Sequence, residues 1–360
     1  MIDRQWGRIG MLTTSWPSRR IPYAGHFIRS MAEALGHDGA AVAIAAVQFD
    51  DDDGLLATPA IELVAHSVAG SAGALSSSPR RWWSVVRALR QSCRQVGHCD
   101  VWFAHWWPTL ITLPANERAV TVLHGSDVDV LEQLPANLSR RITRWLVARS
   151  TVVGVADHLA RRFNALCVNE EANAAICPLG AEPPLHGTLP EDARAWSEAP
   201  FRILTVARDA PGKGLAKARR AARHLPAAAW YIADGSPPLD PAQVWALVAH
   251  ADLVVVPSED GVGLPKEGMP YIIAQAFACG RPVLGGPNAS VVEALQKAGQ
   301  PCVVEHGWEA LASAVVECIK DPGLTAIARK ASAAGALRRW DMVLDRWYQH
   351  ARAARSRQAG

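Results

Sequence analysis

A loop near the middle of the chain carries two cations beside several glycines. Arg208 and Lys213 lie five positions apart in VARDAPGKG, which follows an apolar run, RILTVA, and precedes a helical segment, GLAKARRAARHL. An arginine fork, a compact ammonium charge and the free amides at the start of a helix together suit a diphosphate. Taken alone, an arginine and a lysine at this spacing are better explained by an ordinary solvated loop.

A second polar pair lies further along the chain, in EDGVGLPKEGMPYIIAQAFACGRPVLGG. Glu267 belongs to a loop rich in glycine and proline, and Gln275 stands inside an apolar helix. We expect that helix to begin near Pro270 and to end at Gly280. Eight helical positions span about 12 Å, so the two side chains cannot form a close pair but can contact different parts of one extended ligand. The alternative is structural: an acid favoured by the helix dipole and an amide that satisfies a backbone group.

The composition of the 360-residue chain narrows the classes of protein. Hydrophobic residues at 49% and charged residues at 20% are typical of a globular protein, and a net charge of +3 gives no indication of a nucleic-acid partner. No apolar run approaches the roughly 20 residues of a membrane span, and the first residues lack a signal-peptide core, so we expect a cytoplasmic protein. Seven scattered cysteines without metal-ligand spacing predict buried free thiols; they are Cys93, Cys99, Cys167, Cys177, Cys279, Cys302 and Cys318.

Short apolar runs alternate with helical periodicity, a pattern typical of α/β domains with mainly parallel sheets. Seven strand candidates lie in the first half, and five lie in the second: RILTVA, AAWYIADG, DLVVVPS, RPVLGG and PCVVEHG. We therefore predict an N-terminal Rossmann-like domain over 1–182, a linker over 183–200, a second Rossmann-like domain over 201–335 and a C-terminal helix over 336–360. Ligands are expected in a cleft at the carboxyl ends of the strands.

The ordered motifs of the second half resemble those of the retaining glycosyltransferases of family four, which use nucleotide sugars and have the GT-B fold. The family places G-R-x4-K-G after the first strand, V-G-D-G-P after the second, A-D-x4-P-S after the third, and then E-G-x-P-x4-E-A. This chain has ARDAPGKG, IADGSP, ADLVVVPS and EGMPYIIAQA in the same order. In the first half, TSWPSRRIPYAGHFIRSMAEAL, DVWFAHW, TVLHGSDV and VVGVADHLARRF also resemble the family.

The resemblance implies a GT-B fold, with two Rossmann-like, doubly wound domains facing a central cleft and the last helix packing back on the first domain. It implies that Arg208 and Lys213 bind the donor diphosphate and that Glu267 lies near the donor sugar. The implied catalytic residues are Glu267, Arg208, Lys213 and His124. The implied donor-binding residues are Gly25, Arg208, Lys213, Glu267, Gly268, Met269, Pro270 and Gln275.

The chain departs from the family pattern at Gln275, where the family has a second glutamate that accepts hydrogen bonds from the ribose hydroxyls. An amide oxygen can still accept such a bond, but without the help of a charge, which costs about 1 kcal/mol. We therefore expect weaker donor binding, a ribose held differently, or a chain with lost or changed activity.

Several residues of the first half are candidates for contacts with the substrates. His124, in LHGSD, occupies the place where the family often has a histidine against the donor sugar. Tyr23, His105 and Asp127 are candidates for acceptor contacts. Each has a structural alternative, since a histidine at a strand end is often a satisfied core residue and an aspartate often caps a turn.

The mechanism that the resemblance implies is retention of anomeric configuration by front-face attack, in which the donor phosphate accepts the proton of the acceptor hydroxyl. It requires no metal and no cofactor; the donor substrate would be a UDP- or GDP-sugar. Two alternatives remain. One is a non-catalytic or altered homologue that binds a nucleotide or a glycan without transfer. The other is a sugar phosphorylase or epimerase of the same architecture, although no lysine stands out as a pyridoxal phosphate site.

The acceptor is expected to be a glycan, a lipid-linked molecule or a small molecule. Tryptophans recur beside arginines in SSSPRRWWSVVRALRQ, SRRITRWLVARS and ALRRWDMVLDRWYQ. Cationic and aromatic residues on one helix face suit an anionic membrane, which would place the protein peripherally on the inner membrane face. The alternative is an ordinary helix with its tryptophans in the core and its arginines in water.

Overall fold

The computed structural model divides the chain into two compact units. Unit 1 holds Met1–Leu179 together with Val343–Gly360, and unit 2 holds Gly180–Met342. The structure describes residues 4–50, 53–70, 79–167, 174–184, 187–225, 229–260, 270–303, 305–321 and 323–356.

Unit 1 is built on seven parallel strands in the order β3-β2-β1-β4-β5-β6-β7. The strands are β1 (Arg8–Thr13), β2 (Ala41–Phe49), β3 (Glu62–Val68), β4 (Val101–His105), β5 (Ala119–Leu123), β6 (Thr151–Gly154) and β7 (Ala175–Ile176). The strand order reverses between β1 and β4, so their carboxyl ends flank the position at which doubly wound sheets bind ligands.

Helices cover the faces of this sheet, and for that reason β4 and β5 are buried at every position. The helices are α1 (His26–His37), α2 (Pro79–Val96), α3 (Ser126–Gln133), α4 (Ala136–Arg149) and α5 (Asp157–Leu166), with a 3-10 helix at Trp107–Thr112.

Unit 2 is built on four parallel strands in the order β11-β10-β8-β9. They are β8 (Arg202–Val206), β9 (Ala229–Ala233), β10 (Leu253–Val256) and β11 (Val283–Gly285). The helices are α6 (Arg194–Ser197), α7 (Leu215–Ala222), α8 (Pro241–His250), α9 (Tyr271–Ala278), α10 (Ala289–Lys297), α11 (Trp308–Lys320) and α12 (Leu324–Ala336), with a 3-10 helix at Glu191–Ala193. Here the order reverses between β8 and β10. The α/β class with parallel sheets, predicted from the sequence, is confirmed.

The last helix, α13 (Trp340–Ser356), contributes most of its length to unit 1. Trp347 is fully buried there: its ring stands edge-on to Phe103 at 5.7 Å, and its Nε1 donates to the Pro178 carbonyl at 3.0 Å. Asp345 of the same helix pairs with Arg4. Trp347 is therefore part of the core rather than of a surface that could meet a membrane.

Two segments differ from the sequence-based expectation. Residues 187–200 of the predicted linker fold as part of unit 2, because Trp196 is buried in its core and donates from Nε1 to the Ile203 carbonyl at 2.9 Å. The predicted strand PCVVEHG is reduced to a bridge between Cys302 and Gly285, with Val303 N donating to the Gly285 carbonyl at 2.7 Å.

Candidate functional site

The loop between β8 and α7 carries Arg208 and Lys213, and its geometry depends on Gly214. Gly214 caps α7 with φ of +68°, and a Cβ at this position would lie 2.0 Å from the Pro257 carbonyl oxygen. Only glycine fits both constraints. With no side chain bound at the cap, the first amides of α7 face outward at the carboxyl edge of the sheet, where an anion is favoured.

Arg219 on α7 binds two carboxylates near this loop: Asp209, which belongs to the loop, and Asp234, which follows β9. Its guanidinium lies 3.1 Å from Asp209 and 2.6 Å from Asp234. Arg208 is exposed, and Lys213 is half-buried. Arg219 offsets one of the two aspartate charges, and Arg208 and Lys213 then leave these five groups with a net charge of +1, which suits an anionic ligand.

Gln275 lies on α9, whose described ends match the helix predicted from the sequence: Pro270 stands at its start, and Gly280 follows it with φ of +65°. The other predicted donor contacts of this region, Glu267, Gly268 and Met269, lie outside the described residues. Gln275 is 2% exposed, and its Nε2 has no hydrogen-bond partner among the residues that the structure describes. A buried donor without a partner costs about 1–3 kcal/mol, which a ligand oxygen would recover.

In unit 1 the loop between β1 and α1 has its own left-handed glycine. Gly25 caps α1 with φ of +60°, and a Cβ there would lie 2.0 Å from the Ser15 carbonyl oxygen. Tyr23, two residues earlier, is half-buried, and its carbonyl accepts from His26 N at 3.5 Å.

Two predicted histidines meet at the carboxyl edge of the same sheet. His105 ends β4 and His124 follows β5, with 3.0 Å between His105 Nδ1 and His124 Nε2. Burial lowers the pKa of His124 to about 3 and the pKa of His105 well below its ordinary value, so both rings are neutral at pH 7. Phe27 packs on His124 with its ring centre at 4.9 Å. The pair can donate and accept hydrogen bonds but supplies no charge.

Asp127 is fully buried beside this pair. Its carboxylate accepts from the backbone N–H groups of His124 at 3.1 Å, of Gly125 at 2.8 Å and of Val128 at 3.1 Å. Burial raises the pKa of Asp127 to about 6, and the backbone hydrogen bonds oppose that rise. Of the two roles considered for Asp127, the structure shows the cap-like one, in which the carboxylate holds the loop that presents His124.

Sequence reasoning missed the role of the tryptophans after His105. Trp106 has φ of +81°, a rare value for a bulky residue, and its ring stands edge-on to Trp82 at 5.4 Å. Trp107 donates from Nε1 to the Asp127 carbonyl at 2.9 Å. The sequence signal was the adjacent pair in FAHWW, which no periodicity distinguishes from an ordinary strand end.

The structure thus gathers His105, His124 and Asp127 at one sheet edge of unit 1, and places Arg208 and Lys213 in one loop of unit 2. Among the described residues, no group of three histidines, cysteines or acids is arranged to hold a metal ion. The same part of the chain contains no helix with the length and apolar character needed to cross a membrane.

Comparison with known proteins identifies relatives of both the sequence and the fold. Residues 212–321 match the family of glycosyl transferases group 1. The GDP-mannose-dependent alpha-(1-6)-phosphatidylinositol monomannoside mannosyltransferase of Mycolicibacterium smegmatis is 28% identical over 305 residues, which are 73% of this chain and 77% of the relative.

Solved structures of low sequence identity share the fold. Sucrose-phosphate synthase from Thermosynechococcus elongatus matches with a TM-score of 0.69 and 17% identity, over 97% of this chain and 100% of that one. Anabaena HepE in complex with UDP matches with a TM-score of 0.67 and 17% identity, over 96% and 100% of the two chains. The trehalose 6-phosphate synthase of Burkholderia multivorans matches with a TM-score of 0.68 and 11% identity, over 97% and 98%. The chain is therefore a glycosyltransferase with the GT-B fold, and its residues 212–321 are similar to the glycosyl transferases group 1 family.

Proposed function

We propose that the protein moves a sugar, with retention of anomeric configuration, from a nucleoside diphosphate sugar to a hydroxyl group of its acceptor. The observation that carries this proposal is the loop of Arg208 and Lys213, whose helix start is fixed by Gly214 against Pro257. The solved relatives include a complex with UDP, and the mycobacterial relative is named as GDP-mannose-dependent; both support a UDP- or GDP-sugar as the proposed donor. These comparisons favour transfer over the alternative of a non-catalytic binding protein.

The diphosphate would lie at the start of α7, beside Arg208 and Lys213. Breaking the bond between sugar and phosphate places additional negative charge on the leaving diphosphate. Fixed cations and helix amides therefore stabilise the transition state more than the bound substrate, which is the condition for catalysis. Glu267 would contact the sugar, and Gly25 remains a predicted donor-binding residue.

Gln275 would hold the ribose. Its carboxamide can accept from one hydroxyl through Oε1 and can donate to an oxygen through Nε2, the atom without a partner among the described residues. A carboxylate at this place could only accept. The chain thus replaces a charged acceptor by a neutral group with both capacities.

Retention requires that the acceptor attack from the face that the nucleotide leaves. In this arrangement an oxygen of the departing diphosphate accepts the proton of the acceptor hydroxyl, and no pair of catalytic carboxylates is needed. His124 would contact the donor sugar as a neutral hydrogen-bonding group, and Tyr23 would lie at the acceptor side. The buried His105 and Asp127 would support His124 from behind. Product NMR with an identified donor tests retention, because the anomeric coupling of product and donor must then agree.

The acceptor is proposed to be a lipid-linked molecule, reached by peripheral contact with an anionic membrane. The mycobacterial relative is named for a phosphatidylinositol acceptor. In this chain, α2 has no acidic residue, and its exposed face repeats at intervals of three and four. Trp83 is 61% exposed in the middle of these cations, and the five residues of the face are Arg80, Trp83, Arg87, Arg90 and Arg94.

Vesicle sedimentation tests this contact. We expect binding to vesicles of phosphatidylcholine with phosphatidylglycerol and little binding to phosphatidylcholine alone. Each basic residue near an anionic surface contributes about 1 kcal/mol, so Arg87→Glu should weaken binding about tenfold or more. The exposed Arg352 on α13 gives the matched control, Arg352→Glu. Equal loss in both variants would show a general charge effect and would contradict a surface on α2.

The donor is identified by thermal stability in the presence of UDP, GDP, ADP, dTDP and their sugar conjugates. A ligand at a hundredfold excess over its dissociation constant stabilises the folded state by about 2.7 kcal/mol. We expect one nucleotide to raise Tm and Arg208→Ala to abolish the rise. Arg223→Ala, an exposed arginine just after α7, should leave it intact. A rise that survives Arg208→Ala would place the nucleotide elsewhere.

A further inference from the structure

The two histidines at the carboxyl edge of unit 1 are bonded to each other and differ in exposure. His105 is 2% exposed, and its Nδ1 lies 3.0 Å from Nε2 of His124, which is half-buried. We propose that His105 is a positioning residue: it donates to Nε2 of His124 and so makes Nδ1–H of His124 the group offered to a ligand oxygen. The identity of that ligand rests on the proposed function, whereas the direction of the hydrogen bond does not.

Three contacts hold His124 in place, two on its ring and one on its backbone. His105 holds Nε2, with the two rings 5.2 Å apart and inclined by 25°. Phe27 packs on the ring with centroids 4.9 Å apart. The backbone N–H of His124 is bound by Asp127 at 3.1 Å. A ring held in this way can present only its remaining nitrogen, Nδ1, to a ligand.

The positions of the ring protons follow from the surroundings of His105. Each neutral imidazole carries one ring proton, so one of the two histidines donates in the shared hydrogen bond and the other accepts. If His124 donated, the proton of His105 would reside on Nε2, a buried atom without a hydrogen-bond partner among the described residues.

If His105 donates from Nδ1, its Nε2 is unprotonated and leaves no N–H group unpaired. Buried N–H groups without acceptors are rare in folded proteins, and unsatisfied acceptors are less rare. The structure therefore favours donation from His105 to His124, and His124 then carries its own proton on Nδ1. Burial, which keeps both rings neutral by lowering each pKa, agrees with this count of protons.

The consequence is a directional group at the site. A histidine protonated on Nδ1 donates to an oxygen, such as a hydroxyl or phosphate oxygen of a nucleotide sugar, and does not accept from a hydroxyl through that atom. His105 would thus act on the substrate only through His124, in the way that outer partners fix the tautomer of metal-bound histidines.

Nitrogen-15 NMR of the histidine rings tests the tautomer directly on the full chain without ligand. Ring signals of His124 and His105 are assigned by their loss in His124→Gln and His105→Asn. We expect Nδ1 to be the protonated nitrogen of both residues at pH 7.5. A spectrum in which Nε2 of His124 carries the proton would overturn the proposal, whatever the protein proves to bind.

Two variants of His105 separate positioning from mere packing. His105→Asn keeps an N–H donor near the place of Nδ1, and His105→Leu removes it. With the donor that the thermal assay identifies, we expect His105→Asn to retain activity within about threefold and His105→Leu to lose about 10–100-fold in kcat/KM, the range for partners that orient a functional histidine. The His124 signals should keep the Nδ1–H form in the first variant and lose it in the second. Equal losses in both variants, with the His124 tautomer unchanged, would show that His105 only fills space.

Discussion

Gly25 and Gly214 occupy equivalent positions in the two units. Each follows the first strand of its sheet, caps the first long helix with a left-handed backbone, and lies where a Cβ would be 2.0 Å from a carbonyl oxygen, of Ser15 in one case and of Pro257 in the other. Both units thus bring a helix start against a neighbouring loop closely enough to exclude any side chain. Neither helix start carries a side-chain cap hydrogen bond.

Gly214→Ala should lower the stability of the protein and remove the nucleotide site. The new Cβ would require Pro257 to move, and alanine would hold a strained left-handed φ, so we expect the free energy of unfolding to fall by about 2 kcal/mol or more. The nucleotide-dependent rise in Tm should disappear. Gly36→Ala in α1 is the matched control, because nothing lies within 4 Å of its Cβ position. It should be neutral or stabilising by up to about 1 kcal/mol. A stable Gly214→Ala variant that still binds nucleotide would contradict the role of this cap.

Gln275 allows stability and binding to be separated. In Gln275→Met the buried Nε2, which has no partner among the described residues, is replaced by an apolar group of similar size, so the free energy of unfolding without ligand should rise by about 1 kcal/mol. The same variant should lose most of the nucleotide-dependent stabilisation, since it offers no hydrogen bond to the ribose. Urea unfolding with and without the identified nucleotide measures both effects. Unchanged nucleotide binding would remove Gln275 from the site.

The raised pKa of Asp127 predicts that the stability of the protein depends on pH. Burial raises its pKa from 3.8 to about 6, so the protonated form is favoured in the folded state. The stability linked to this group is present below pH 3.8 and is lost as the pH rises through 6, a change of about 3 kcal/mol for two pKa units. The Asp127→Asn variant cannot ionise at this position. The free energy of unfolding of the wild type minus that of the variant, measured in urea, should therefore decrease between pH 4 and pH 7. An increase over the same range would show that the three backbone N–H groups dominate and lower the pKa.

Sequence patterns sufficed for the features that depend on local order. Apolar runs located the strands, and the turn residues placed Pro270 and Gly280 at the two ends of α9. The loop of Arg208 and Lys213 was recognisable because its chemistry lies within six consecutive residues. His124 was found through its position in a motif.

Features that depend on contacts between distant segments were not predictable in this way. The hydrogen bond between His105 and His124 requires the register of β4 against β5, in which His105 pairs with Val122. The need for glycine at position 214 arises from Pro257, which lies 43 positions further along the chain. Trp196 looked like part of a polar linker, since only tertiary packing reveals the core that buries it.

Trp106 gives a last prediction, from backbone strain. Its φ of +81° is unfavourable for any residue with a Cβ, and such strain persists only where surrounding contacts impose it. Those contacts are a hydrogen bond from Trp106 N to the Val122 carbonyl at 3.3 Å, one from Thr109 Oγ1 to the Trp106 carbonyl at 2.9 Å, and the ring of Trp82. Trp106→Gly and Trp106→Ala lose the same ring contact, but only glycine relaxes the backbone. We expect the glycine variant to be more stable than the alanine variant by about 1 kcal/mol in urea unfolding. The usual order, in which alanine is the more stable, would show that the backbone at Trp106 is not held in this conformation in solution.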